Sequence, residues 1–394
     1  MSSSNQVRIA FIEESTYGEV PVAGNFSTAR FTSDSLSGTP DTTESQQIRT
    51  DRMSSGQVVT GLSVGGDLNF ELAKEDAADL LFKSSMYNTW AVSAAVAVDL
   101  TITAATSVLV RALGDWNADI EVGDLIKLTA FANSVNNVEV MVASIDSTTQ
   151  ITYVGPTGMV DEVGSGTSYE IADELSIGTT KTSFSMEKAF LDLTDKAIIY
   201  NGMISSGFSI SAAYGAIITG NFNLMGNGYD DVEASGDFIT DGRTINVAAT
   251  TNSLNGSVDM PFIASSATGT FQEAGFCIQS VDISLNNNLT PTNCIGRTSP
   301  LDYSEGTAQI EVSISAYLSD DNWSVIAKKL TQTPFAIGFL LKNDDGYYAF
   351  YMPAVQVSFD DPVSAGINQD VILTMSGTAK VGANGESALK IFRS

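Results

Sequence analysis

The feature that most constrains this chain is alternation: its apolar residues recur at every second position in short runs broken by turn residues. "QVSFDDP" and "DVILTMSG" both carry the period of a half-buried strand. "FAIGFLLKNDDGYYAFYMP" reads as a hairpin, with Phe335 to Leu341, a turn at Asp345-Gly346, then Tyr347 to Met352. Pro353 has no N–H to donate, so the second strand's pairing is predicted to end there. Only two stretches read as helices, "KEDAADLLFK" and "SDDNWSVIAKKL". Each opens on acids (Glu75 and Asp76; Asp320 and Asp321) and closes on lysine, complementing the helix dipole. Ala77, Leu80 and Leu81 form one apolar stripe, and Trp323, Ile326, Ala327 and Leu330 the other.

The surroundings of the two helices match. "GLSVGGDLNFELAKED" and "GTAQIEVSISAYLSDDN" each run from a polar turn through a strand to a leucine, Leu72 or Leu318. Upstream segments end in Arg49 and Arg297, and the spacing between copies is about 247 residues throughout. Between the copies, residues 94–173 hold short strands with 2 basic and 11 acidic residues, the pattern of an inserted small barrel or sandwich. Removing those 80 residues from 394 leaves 314, or 157 per copy, an ordinary domain size. The expected fold is therefore mainly β, with two tandem duplicated modules, each with a short helix, plus the insertion. The divisions are 1–93 (first module, first part), 94–173 (insertion), 174–270 (remainder and linker) and 271–394 (second module).

Composition narrows the chemistry. Histidine is absent, which removes the usual general base near neutral pH and the commonest transition-metal ligand. Gly61-Leu62-Ser63-Val64-Gly65 matches a hydrolase elbow, yet that motif needs a strand-to-helix turn and a histidine; glycines at a bend in a strand fit better. No Gly-Lys dipeptide supports a phosphate-binding loop. The pairs Asp230-Asp231, Asp344-Asp345 and Asp360-Asp361 lack calcium-loop spacing and read as solvated turns. An acidic glycosidase needs only two carboxylates, but nothing selects a pair among 46 acids. No enzyme, metal or cofactor is called for. A net charge of −27 argues against binding a phosphate backbone. The polar start "MSSSNQVR" lacks a secretion signal's apolar core, and no apolar run is long enough to span a bilayer, which predicts a chain made in the cytosol and no membrane partner. Cys277 and Cys294 make no disulfide framework; two buried free thiols fit better than one bond across a hairpin.

The opening "RIAFIEESTYGEVP", followed by "FTSDSLSGTPDTTESQQIRTDRM", resembles the start of the major tail tube proteins of long-tailed, siphovirus-like bacteriophages. The final "GYYAFYMPAVQVSFDDPVSAGINQDVILTMSG" resembles their closing hairpin and strands. This resemblance implies a tail-tube β-sandwich whose sheets join those of neighbours into rings stacked as a hollow, DNA-conducting tube. With two modules per chain it implies trimeric, pseudo-six-fold rings in place of hexamers, with the insertion decorating the exterior. Implied partners are further copies of the chain, the tape-measure protein, the tail terminator and the distal tail protein. Phage DNA passes through the lumen without specific binding. The implied location is the virion tail, assembled in the host cytoplasm. The inner tube of a contractile tail shares this architecture and is the alternative; a β-rich surface or adhesion protein is a more distant one. Glu13, Glu14, Tyr17 and Pro21 are then expected in an arm packing on an adjacent ring, and Arg49, Asp51, Arg52 and Arg297 at inter-subunit contacts. The polar loop from Thr39 to Gly56 is expected to be mobile in the free subunit and to order on stacking.

Overall fold

The computed structural model describes residues 3–48, 50–51, 53–248, 251–266, 271–275, 277–320, 322–364 and 366–394. Arg49, Arg52 and Asp321 lie outside the described residues, as does the side chain of Ala327. The protein is mainly β. Its first half contains Val7–Glu13 (β1), Ser33–Asp34 (β2), Ser37–Glu44 (β3), Gln57–Glu71 (β4) and the helix Asp76–Met86 (α1). The chain resumes after residue 171 with Asp173–Ser176 (β5), Phe184–Phe190 (β6), Ala197–Ala213 (β7), Thr219–Gly226 (β8) and Gly228–Val232 (β9). The second half holds Phe262–Ser265 (β10), Ile278–Asn286 (β11), Gln309–Tyr317 (β12) and the helix Trp323–Thr331 (α2). Phe335–Asn343 (β13), Gly346–Ser358 (β14), Ile372–Lys380 (β15) and Lys390–Arg393 (β16) complete it.

One pairing scheme occurs twice, antiparallel throughout. In the first half β1 pairs with β6, β6 with β7, β7 with β8 and β9, and β8 with β4, which pairs with β2 and β3. In the second half β10 pairs with β13, β13 with β14, β14 with β15 and β16, and β15 with β12, which pairs with β11. The long strands β7 and β14 thus start in an outer sheet and end in an inner one. The halves meet where β7 pairs with β11, from Gly207 opposite Asn286 to Ala213 opposite Ser280. This makes one inner sheet: β2 with β3, then β4, β8, β7, β11, β12, β15 and β14. Alternation gives it two unlike faces. Phe208, Ile210, Phe222, Ile283, Val312 and Met375 point into the core, while Ser209, Asn221, Asp282, Ser284, Glu311 and Ser376 stay on the other side.

Between the layers, Phe82 of α1 sits at the centre. Its ring lies 5.2 Å from Phe208 and from Phe222, and 5.5 Å from Tyr348 of the second half. The strands between Val96 and Ile171 form a separate eight-stranded sheet around Trp116, Tyr169, Ile126 and Ile151. A second apolar patch on it, including Leu125 and Met141, packs on Phe262, Leu340, Tyr351 and Phe392 of the second half's outer sheet. Beside that patch the buried Lys390 ammonium meets Asp124 at 3.0 Å and Glu174 at 3.4 Å, and these carboxylates hold it charged against the cost of burial. The first half's outer sheet is covered differently, by Phe238, Ile239 and Ile245.

Several expectations are corrected. Pro353 does not end pairing: β14 runs on to Ser358, and the ladder shifts between Phe335 and Ile337, opposite Val355 and Met352. A bulge leaves a residue unpaired, so no N–H is required there. Much of the supposed loop from Thr39 is strand, because Thr39 to Glu44 pair with Ser63 to Gln57. Asp230 and Asp231 lie in strand β9, exposed, and not in a turn. Both cysteines are exposed free thiols: Cys277 precedes β11 and Cys294 lies in the loop between β11 and β12, outside the alternating, inward-facing positions. Among the described side chains of α2, Val325 is buried, whereas Trp323 and Leu330 are 62% and 83% exposed.

Candidate assembly interface

The segment "FIEESTYGEVP" folds back on its own sandwich. Glu13, at the end of β1, pairs with Lys83 of α1 at 2.6 Å. Glu14 is buried and accepts hydrogen bonds from the Ser185 hydroxyl at 2.6 Å, the Ser183 hydroxyl at 2.7 Å, and the Gly18 and Gly202 amides at 2.8 Å. Its carboxylate therefore organises the turn that follows. Gly18 takes φ +76°, where a Cβ would also sit 2.8 Å from the Asn227 side chain, so only glycine fits. Tyr17 packs with Tyr87, Ile204 and Tyr303, its hydroxyl buried without a hydrogen-bond partner. Burial, reinforced by Tyr303, Asp302 and Glu14, keeps that phenol protonated well beyond its usual range. The Pro21 carbonyl accepts from the Arg243 guanidinium.

Of the remaining expected contact residues, Asp51 and Arg297 lie on two protruding loops. β3 and β4 extend as a hairpin arm with most residues of β3 exposed; Val58 and Val59 are exposed on it, as are Ile48 and Met53 in its loop. Asp51 belongs to that loop, where it accepts from the Met53 amide at 3.2 Å. The corresponding loop of the second half, residues 287–308, carries Arg297 and the fully exposed Ile295. The structure brings this loop against the base of the arm: the Leu62 amide donates to Thr298 at 2.7 Å, and Arg297 and Asp41 line one shared cleft. Arg297 is thus placed beside the first half's hairpin, and not beside Glu13 or Glu14.

Sequence reading did not identify the inner sheet's polar face or its ends. Asp67, Asp282 and Glu311 lie among serines, threonines and asparagines on that face. Strand alternation was visible; which strand neighbours which was not. At one end of the sheet, β2 and β3 pair only with β4 among the described residues. At the other, the last residues of β14 pair only with β15 among the described residues. Unpaired edges of this length are templates for another strand unless blunted by charge or covered.

A broad amphipathic sheet with two unfinished ends, rather than a pocket of reactive groups, defines a structural building block. The chain belongs to the phage tail tube protein family, whose model matches residues 4–379. That family is structural and non-enzymatic, a component of the virion tail that assembles into the tube. No curated protein matches the chain.

Proposed function

We propose that the chain polymerises as stacked rings of three copies, forming the tube of a long-tailed, non-contractile phage, with DNA moving along the inner sheet's polar face. The observation that carries this reading is the β7–β11 junction, which joins two like halves edge to edge and leaves the same kind of edge free at either end. Repeating it between chains closes a ring with no free edges. In this reading residues 1–93 and 174–270 are one tube module, 271–394 the other, and 94–173 an external decoration. At −27 per chain, with Asp67, Asp282 and Glu311 outnumbering Lys380 on the polar face, the wall offers DNA few ion-pair anchors, so the polymer slides. Such a tube would meet the tape-measure protein inside, a terminator at one end and the distal tail protein at the other. Negative-stain microscopy of the concentrated protein tests it: rings or hollow rods with three-fold symmetry are expected. Discrete monomers at high concentration would overturn the reading.

A further inference from the structure

The two halves can be aligned residue by residue through their ladders. The Leu72 amide donates to Ile218, and the Leu318 amide donates to Val371, so these positions correspond. Counting along the ladders, Asn223 opposes Asp67 and Gly207, just as Ser376 opposes Ser313 and Ser358. Ser358 is therefore the counterpart of Gly207. In β7 the chain continues as strand beyond that point, flanked by β8 on one side and β11 on the other. In β14 it stops: Phe359 to Ser364 belong to no strand.

Pro362 accounts for the stop. The Leu318–Val371 bond sets the odd-numbered residues of β15 to face β12, so Ile372, Thr374 and Ser376 face β14. Continued pairing would place Pro362 opposite Ile372 at a hydrogen-bonding position, where proline has no N–H. The same parity turns the amides of Phe359, Asp361 and Val363 the other way, toward the open edge. The Val357 carbonyl, which shares its direction, is already in use as an acceptor for the Gln332 side chain at 3.3 Å.

The first half supplies the matching edge. Ser35 donates to Asp67 at 2.9 Å, so odd-numbered residues of β2 and β3 face β4, and Asp34, Leu36 and Gly38 face outward. Leu36 uses one lone pair on the Tyr200 hydroxyl and keeps the other. Since Gly207 opposes Asn286, and Thr39 is the counterpart of Asn286 through Ser63 and Gln309, the register between copies follows.

We propose that residues 358–364 convert to strand on assembly and pair antiparallel with residues 33–39 of a second copy, Ser358 opposite Thr39 and Asp360 opposite Ser37. This rests on the ring reading above and gives it a register. Trp323 and Leu330, exposed on α2 beside this edge, are covered by the same contact; Lys329 next to Leu330 already holds Asp361 at 2.5 Å.

The test is oxidative cross-linking in a C277S/C294S background. Ser37 and Asp360 oppose each other at a non-hydrogen-bonded pair, within disulfide reach, whereas Ser37 and Ser358 are two residues out of register. Assembled S37C/D360C should give covalent dimers and trimers at about ten-fold the yield of S37C/S358C. Rings or tubes that cross-link equally in both pairs, or better in S37C/S358C, overturn the register and leave the ring reading standing. Absence of rings by microscopy takes down both. Hydrogen exchange on the unsubstituted chain gives an independent measure: the amides of Phe359, Asp361 and Val363 should be protected in tubes and open in monomers. Equal exchange in the two states overturns the conversion.

Discussion

The two halves of this protein share a pairing scheme and differ in how it is finished. Beyond Gly207 the first half's long strand has neighbours on both sides, and the last turn of α1 is sealed by the second half, whose buried Asn287 side chain donates to the Ser85 carbonyl at 2.8 Å. The second half's long strand ends with one neighbour, and α2 presents Trp323 and Leu330 to solvent. Through the Leu72–Leu318 correspondence, the exposed Trp323 and Leu330 stand where α1 has the buried Ala77 and Ser84. Exposed apolar groups in repeated folds are best judged against the copy that has its neighbour.

That contrast can be broken at three points. The largest effect is expected at Phe82, whose ring is shared by both halves; Phe82→Ala should cost about 3–5 kcal/mol, measured by denaturant unfolding. A single transition that moves as a whole is expected, and loss of only one half would mean that they are not packed as one core. Next is the start of α1. Glu75 is largely buried with one oxygen unpartnered, and burial lifts its carboxyl from 4.5 to about 7, against the opposing pull of Arg30. A raised acid is favoured by the fold in its protonated form. Its contribution is therefore complete below about pH 4.5 and lost as pH rises through 7. Glu75→Gln should stabilise the chain at pH 8 by up to about 3 kcal/mol and do nothing at pH 4, seen as a pH-dependent shift in Tm. No comparable gain is expected from Asp320→Asn ahead of α2, where the carboxylate is exposed. The smallest effect is at Trp323: Trp323→Ser should change the free chain's stability by about 0.5 kcal/mol or less, yet weaken tube formation in sedimentation assays. A cost as large as that at Phe82 would show the helices to be equally buried.

Much of the architecture was legible because strand period is local. The hairpin from Phe335 to Met352 and both helices are where alternation and end charges put them. What escaped needed information from elsewhere in space. Pro353 was read as a stop because a bulge depends on the partner strand's register. Trp323 and Leu330 have the period of a buried stripe, but periodicity cannot say which surface does the burying. Glu14 was expected in an arm packing on an adjacent ring, and nothing local announces that Ser183, Ser185 and Gly202 converge on it from far along the chain. Asp67, Asp282 and Glu311 share a face only once β4, β11 and β12 are set in one sheet. Arg49 and Arg52 lie outside the described residues.

The 17-residue strand β7, and β14 after it, run from outer layer to inner layer without a break. At roughly 3.3 Å per residue, β7 spans about 56 Å of continuous backbone. The two layers are therefore joined by continuous backbone as well as by the side chains packed around Phe82 between them. Sliding one layer past the other would have to bend β7 and β14 where they cross, so the crossing strands tie the motion of the two layers together.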